Sequence, residues 1–173
     1  MVRHSSPFSG RYLRYVLSIL FFAILAPLIL WQWSPLYSVL SLLAAAALTV
    51  GYDSVTRQIA LNKAEGMVNE KSSLIVHAVK IASDRKGYLV ITDNFVLFVP
   101  LWKKKIKTVL ETSQIVRYEF ERQTVEITAK FPNKHRTFQF CIGSLERVKQ
   151  ELEEKSGKSL PYKYDKMSKS EGV

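Results

Sequence analysis

The sequence contains little cysteine, histidine or glycine, and each scarcity excludes a class of protein. Cys141 is the only cysteine, so no disulfide can form within the chain and a disulfide-stapled secreted module is excluded. The three histidines, His4, His77 and His135, lack the spacing of metal ligands, and the seven glycines are scattered singly, so neither a metal site nor a glycine-rich phosphate loop is indicated. We therefore expect no catalytic residues, no bound metal and no cofactor.

Charge is missing from one long segment near the start of the chain. From Tyr12 to Tyr52 the only charged side chain is Arg14, although the whole chain carries 25 basic and 15 acidic residues. Residues 15–33 and 36–52 are each long enough to cross the hydrocarbon core of a bilayer, which is about 30 Å thick. Aromatic residues surround the Ser34-Pro35 turn, as is typical of a membrane interface. The pattern predicts a membrane-spanning helical hairpin over residues 15–52.

Basic residues predict how this hairpin is oriented. Arg3, Arg11 and Arg14 precede the first span, Arg57 and Lys63 follow the second, and the connecting turn has no basic residue. Positive charge favours the cytoplasmic side, so we expect residues 1–14 to form a cytoplasmic basic tail, with both termini cytoplasmic, in the cell membrane. A cleaved signal peptide is the alternative, but the first span ends in Trp-Gln-Trp-Ser-Pro, without the small residues of a cleavage site.

The predicted hairpin has the composition of an anchor rather than of a transporter. No ionisable side chain lies inside it to relay protons or coordinate ions. Its small residues, Ala44 to Ala47 and Gly51, form a stripe along which another helix can approach closely. Two interpretations stay open, namely packing within the hairpin and contact with a second protein or a second copy of the chain.

The second half of the chain has the pattern of a linker followed by a mainly-β domain. Residues 53–73 form a linker, predicted to be helical until about Gly66 and to tether the domain. From residue 74 the apolar residues alternate, which predicts seven short antiparallel strands. They are predicted at residues 74–81, 87–92, 95–99, 105–110, 116–121, 125–131 and 138–142. Ser144 is a suitable N-cap for an amphipathic helix that ends at Gly157.

These elements predict an N-terminal transmembrane α-hairpin followed by a mainly-β, pleckstrin-homology-like (PH-like) barrel of about seven antiparallel strands. The C-terminal helix carries one narrow apolar stripe and must lie against the strands, so it is expected to cap the barrel. The domain covers residues 74–157, and the lysine- and serine-rich residues 158–173 are predicted to be a disordered tail.

One hairpin carries a family resemblance. Residues 86–98, KGYLVITDNFVLF, resemble the glycine, alternating apolar residues and Thr-Asp turn found in GRAM domains and their bacterial PH-like relatives. The resemblance extends through Ile115 and Val116 to the terminal helix, about half of the chain, and leaves the membrane hairpin unmatched. It implies a domain in which the loops after the first and third strands flank a phosphate-binding mouth.

Both of those loops are basic here. The first contains Arg85 and Lys86, and the second contains Trp102, Lys103, Lys104, Lys105 and Lys107. Lysines beside an aromatic residue combine attraction to anionic headgroups with a group that enters the membrane interface, so these seven residues are the predicted lipid-binding site. The alternative is a solvated lysine loop that keeps an edge strand from pairing.

We therefore expect a membrane-anchored, non-enzymatic GRAM/PH-like domain that contacts anionic lipids and recruits or regulates another protein at the cytoplasmic leaflet. A structural accessory subunit of a larger membrane complex, with incidental lipid contact, is the alternative. An enzyme with Cys141 as its nucleophile is a third, although nothing predicts an activated thiol. Nucleic acid is not an expected partner, because Glu119, Glu121 and Glu126 line the outer sheet.

Overall fold

The computed structural model describes residues 9–83, 85–101, 105–132 and 134–156, and it begins with two long helices packed side by side. Helix α1 is α-helical over Ser9–Ser18, π-helical over Ile19–Leu25 and α-helical over Ala26–Leu30. Helix α2 is α-helical over Pro35–Ala46, π-helical over Ala47–Gly51 and α-helical over Tyr52–Val68. Both helices are long and apolar enough to cross a membrane.

The hairpin has small residues inside and large apolar residues outside. Ser18, Ser38, Ser41 and Ala45 are buried, and the Ser38 hydroxyl donates a hydrogen bond to the Pro27 carbonyl at 3.2 Å. The leucine, isoleucine and phenylalanine side chains point outward. Membrane helices pack in this way, because lipid tails solvate large apolar side chains and small residues let the backbones approach.

Local chemistry sets the two ends of α2. The Ser34 hydroxyl accepts the Leu36 amide at 3.3 Å, and Pro35 takes the first helical position, where its missing N–H costs nothing. The helix continues two residues beyond the predicted end at Gly66, to Val68, and Asn69 ends it in the left-handed conformation with φ 56°.

Seven strands follow α2, which is the number that the sequence predicts. They are β1 (Ser72–Lys80), β2 (Arg85–Thr92), β3 (Phe95–Pro100), β4 (Thr108–Glu111), β5 (Ile115–Glu121), β6 (Thr124–Phe131) and β7 (Lys134–Ile142). Strand β4 starts at Thr108 rather than at the predicted Lys105. The preceding Lys105 and Lys107 are exposed and stay outside the sheet, where their ammonium groups remain hydrated.

The strands form one antiparallel sheet in the order β4-β3-β2-β1-β7-β6-β5. Strand β1 pairs with β2 along most of its length but with β7 only from Ala78 to Lys80. The sheet therefore consists of two ladders, β1–β4 and β5–β7, joined at the end of β1. In the part of the chain that the structure describes, β4 and β5 are edge strands, so the sheet is open between them.

A core fills one face of this sheet. Leu89, Ile91, Ile127 and Phe140 are fully buried there. Helix α3 (Leu145–Ser156) covers the core with Val148 and Leu152, which are also fully buried. This arrangement confirms the predicted fold class of two N-terminal helices, a seven-stranded antiparallel sheet and a capping C-terminal helix.

The opposite face of β1–β3 is covered by α2. Ala60 and Ala64, one helical turn apart, pack against Tyr88, Val90 and Val99. The small side chains let the helix approach the sheet closely, and every residue of β2 from Gly87 to Thr92 is buried as a result. The predicted linker over residues 53–73 is thus helical as far as Val68, and this helix is docked on the domain.

Candidate functional site

A basic cavity of about 250 Å³ lies where β1, β3 and β4 meet the loops between them. Its charged lining consists of Lys80, Arg85, Lys105 and Lys107, and we call this set the basic mouth. Phe98 and Pro100 form its apolar side, and Thr108 contributes a hydroxyl. Among the described residues that line the cavity, four are basic and none carries a carboxylate.

Lys80 belongs to the mouth although it is absent from the predicted site. Its ammonium donates a hydrogen bond to the Thr108 hydroxyl at 2.8 Å and lies 5.0 Å from the centre of the Phe138 ring. Burial, and then the nearby Arg85 guanidinium, lower the pKa of Lys80 below its ordinary value. An anion in the cavity would offset both effects by stabilising the charged ammonium.

The predicted site residues divide into three groups. Arg85, Lys105 and Lys107 line the mouth. Lys86 does not line it, because consecutive strand residues point to opposite faces of the sheet. Its ammonium instead reaches α1, where a methyl group on Gly10 would lie 3.2 Å from it. Trp102, Lys103 and Lys104 lie outside the described residues.

Contacts between α2 and the domain show which end of the domain faces the hairpin. Near the hairpin, the Thr56 and Tyr88 hydroxyls are 3.0 Å apart. Further along α2, Glu65 accepts hydrogen bonds from the Ser72 amide and hydroxyl, both at 3.0 Å. Thr56 and Glu65 are separated by about 13 Å along the helix at 1.5 Å per residue.

Strand β2 therefore runs away from the hairpin, and Arg85 at its start lies at the hairpin end. Its other end, at Thr92, contacts Glu70, which follows α2 and also accepts from the Asn94 side chain at 2.7 Å. Lys80 pairs with Arg85 across β1 and β2, so the basic mouth as a whole lies at the hairpin end of the domain.

A second charged cluster holds the two long helices together where they meet the domain. The carboxylate of Asp53 on α2 pairs with both Arg11 and Arg14 of α1 and accepts a hydrogen bond from the Tyr15 hydroxyl. The Arg14 guanidinium also lies 4.2 Å from the centre of the Tyr52 ring. These contacts fix the base of the hairpin at the level where its apolar segments end.

His77 and Cys141 of the domain are held in surroundings that favour their neutral forms. Burial, with a further contribution from the Arg11 charge, lowers the pKa of His77, whose ring stacks at 4.4 Å on Tyr88. Cys141 is buried in β7, and burial raises the pKa of its thiol, which opposes the thiolate that a nucleophile needs. Across the described ranges, no three histidine, cysteine or acidic side chains are grouped so as to hold a metal ion.

Comparisons with known proteins give distant structural matches. No protein-family model and no curated protein matches the chain. The C-terminal domain of an unknown protein from Leishmania infantum aligns with 62% of this chain and 99% of its own, at 13% identity and a TM-score of 0.49. The DH/PH domains of p115-RhoGEF align with 70% of this chain and 44% of their own, at 8% identity and a TM-score of 0.43.

The fold is PH-like. The strand order and the capping helix carry that statement, and the structural matches are too distant to add to it. A FERM and C-terminal domain complex of Drosophila Merlin, for example, aligns with 48% of this chain and 28% of its own, at 15% identity and a TM-score of 0.40. The narrower resemblance to GRAM domains rests on residues 86–98 and stays a prediction.

Proposed function

We propose that this chain is a non-enzymatic membrane protein of the GRAM/PH-like type. In this proposal its domain presents the basic mouth to anionic lipid headgroups at the cytoplasmic leaflet and recruits or regulates another protein there. The observation that carries the proposal is the position of the mouth, at the hairpin end of the domain. A positively charged cavity held at that level lies within reach of headgroups.

The docked helix supports this proposal by restricting the domain's orientation. A flexible linker would let the domain rotate, and its basic residues would spend most of their time away from the leaflet. Helix α2 instead holds the sheet through Ala60 and Ala64, while Lys86 reaches the first turn of α1. Because the fold already restricts the orientation of the domain, less conformational entropy is lost when the mouth binds the membrane.

Charge supplies the attraction. Each basic residue near an anionic leaflet contributes about 1 kcal/mol, so the four residues of the mouth contribute about 4 kcal/mol before screening by salt. That is modest for a free domain but sufficient for one that is anchored, because the anchor sets the local concentration of headgroups. The basic residues flanking the hairpin support a topology with both termini on the cytoplasmic side.

Photocrosslinking to lipid headgroups tests this proposal on the full chain in nanodiscs. The probe is an anionic phospholipid with a photoreactive headgroup, and adducts are located by peptide mass spectrometry. We expect adducts within residues 80–85 and 105–108, and we expect Arg85→Gln, Lys105→Gln and Lys107→Gln together to remove most of them. The matched control is Lys71→Gln, Lys130→Gln and Lys149→Gln together, three exposed lysines outside the mouth.

Equal labelling by a zwitterionic probe of the same design, or unchanged labelling of the triple variant, would contradict lipid binding at the mouth. A second experiment addresses the recruited protein. Crosslinking in intact membranes is expected to capture a protein partner whose yield falls in the triple variant, because recruitment depends on how the mouth engages the leaflet.

A structural accessory subunit is the second candidate, and one observation favours it. Among the described residues, a methyl group on Gly51 would meet only Ala46 and Ala47 of its own helix, so the small-residue stripe is open at Gly51. Another membrane helix can therefore approach there. A stoichiometric partner that survives the triple mouth variant but is lost on Gly51→Leu would favour this candidate.

A further inference from the structure

A second cavity, separate from the basic mouth, lies between the base of the hairpin and the PH-like domain. Its volume is about 370 Å³, and it shares no lining residue with the mouth. Three arginines from three different elements line it: Arg11 from α1, Arg57 from α2 and Arg147 from α3. We call it the arginine cavity.

The charges of the arginine cavity are not balanced among the residues that the structure describes. Asp53 is the only acidic residue in the described lining, and that carboxylate is already shared between Arg11, Arg14 and the Tyr15 hydroxyl. Neither Arg57 nor Arg147 forms an ion pair with another described residue, so within the described part of the chain both guanidinium groups face the cavity without a counter-charge.

The arginines also act on His77. Its imidazole lines the cavity, and burial lowers its pKa most; the Arg11, Arg14 and Arg57 charges lower it further, while the Asp53 charge acts against them. A neutral imidazole can donate one hydrogen bond to an anion without adding charge. Guanidinium groups suit phosphate in particular, because their planar N–H donors match two phosphate oxygens at once.

The position of the cavity beside the hairpin indicates which phosphate compound could bind there. Two of its lining residues, Tyr15 and Val50, belong to the apolar segments of the hairpin. Val50 is 67% exposed, so the cavity opens onto a surface suited to an acyl chain. A headgroup phosphate lies at the level where such apolar segments end, next to the arginines.

We propose that the arginine cavity binds the phosphate of one anionic phospholipid, whose acyl chains lie along the hairpin. Its residues come from both hairpin helices and from the start of α3, so a bound lipid links the anchor to the domain. This site is independent of the basic mouth, and the proposed function can fail while this proposal holds.

Native mass spectrometry of the full chain released from nanodiscs tests the proposal. The nanodiscs contain phosphatidylglycerol and phosphatidylcholine, and the measured quantity is the affinity of the most tightly retained phosphatidylglycerol. We expect Arg57→Gln with Arg147→Gln to weaken it about 30-fold, at about 1 kcal/mol per basic residue. Both residues are exposed, so the fold should survive, and Arg57→Lys with Arg147→Lys should restore part of the affinity because it restores the charge.

Two controls separate this site from the alternatives. Lys71→Gln with Lys149→Gln removes the same charge outside both cavities and should leave the tightly bound lipid in place. The triple mouth variant should also retain it. Equal loss in either control, or an unchanged affinity in Arg57→Gln with Arg147→Gln, would overturn the proposal. Displacement of the lipid by inorganic phosphate at low concentration would also overturn it, since the site would then take free phosphate.

Discussion

Replacing Ala64 with glutamate is expected to release helix α2 from the sheet without unfolding the PH-like domain. Ala64 is 0% exposed and lies in an apolar contact with Val90 and Val99. A glutamate at this position has to bury its carboxylate or push the helix away. The core on the other face of the sheet, around Leu89 and Ile127, is not touched by the substitution.

The apolar burial that favours the docked helix and the cost of burying the new carboxylate are of similar size. Full burial of one valine side chain contributes about 1.5 to 3 kcal/mol, so Val90 and Val99 together favour the docked helix by about 3 to 6 kcal/mol. An uncompensated buried charge costs about 3 to 5 kcal/mol. A cost of about 3 kcal/mol raises the undocked fraction more than about 100-fold, at about 1.4 kcal/mol for each factor of ten.

Thiol labelling of the full chain in nanodiscs measures this opening. Val99 is 2% exposed and lies beneath α2, so Val99→Cys introduces a thiol that reacts only when the helix moves away. The native Cys141, buried in β7, reports opening of the domain in the same molecule. We expect Ala64→Glu to accelerate labelling at position 99 by more than about tenfold while the rate at Cys141 stays nearly constant.

Asn62→Glu is the matched control, because it adds the same carboxylate to an exposed position on the same helix. Its labelling rate at position 99 should equal that of the parent protein. Unchanged labelling in Ala64→Glu would refute the docking argument. Equal acceleration at Cys141 would show that the substitution unfolds the domain rather than undocking the helix.

Two further predictions concern glycine and histidine positions. Gly87→Ala should destabilise the domain by about 3 kcal/mol or more in denaturant unfolding, because the added methyl group would lie 2.3 Å from the Val99 carbonyl oxygen. Gly66 has open space around it, so Gly66→Ala should stabilise α2 by about 0.5 to 1 kcal/mol. A Gly87→Ala protein more stable than the Gly66→Ala protein would contradict the packing described. Burial lowers the pKa of His77 below its ordinary value of 6.5, so the unfolded chain takes up a proton at a higher pH than the folded one, and stability should fall as the pH decreases through 6.5. The fall in melting temperature should be smaller in His77→Gln, and equal falls would count against this account.

Much of the fold could be predicted because its signals are local. The uncharged segment around residues 15–52, the Ser34-Pro35 turn and the alternating strands are each visible within a short window of sequence. Element ends were less accurate: β4 starts at Thr108 rather than Lys105, and α2 extends to Val68. Solvation of lysines and a left-handed cap at Asn69 decided those ends.

The docking of α2 was not predicted, although a signal for it exists in the sequence. Residues 88–91 and 95–99 are continuous apolar runs rather than alternating ones, which indicates strands buried on both faces. Ala60 and Ala64, one turn apart, are the only buried residues of the Tyr52–Val68 segment among those described. Neither pattern identifies the other as its partner, because the contact joins segments that are far apart in sequence.

The residues of the candidate site are likewise only partly predictable from the sequence. The resemblance to GRAM domains implied that the two basic loops are neighbours, and Arg85, Lys105 and Lys107 do line one cavity. Lys86 lies on the opposite face, as strand alternation alone would have indicated. The sequence does not single out Lys80, because a single lysine at the end of a strand carries no pattern. Only the pairing of β1 with β2 places it beside Arg85.

By itself the sequence determined the apolar hairpin, the number of strands, the capping helix and the absence of an intrachain disulfide. These features depend on composition and on periodicity over a few residues. Only the tertiary structure decided that α2 docks on the sheet, that the basic mouth lies at the hairpin end, and that Arg11, Arg57 and Arg147 meet around one cavity. Each of these depends on burial and charge shared between elements distant in sequence, which local patterns do not encode.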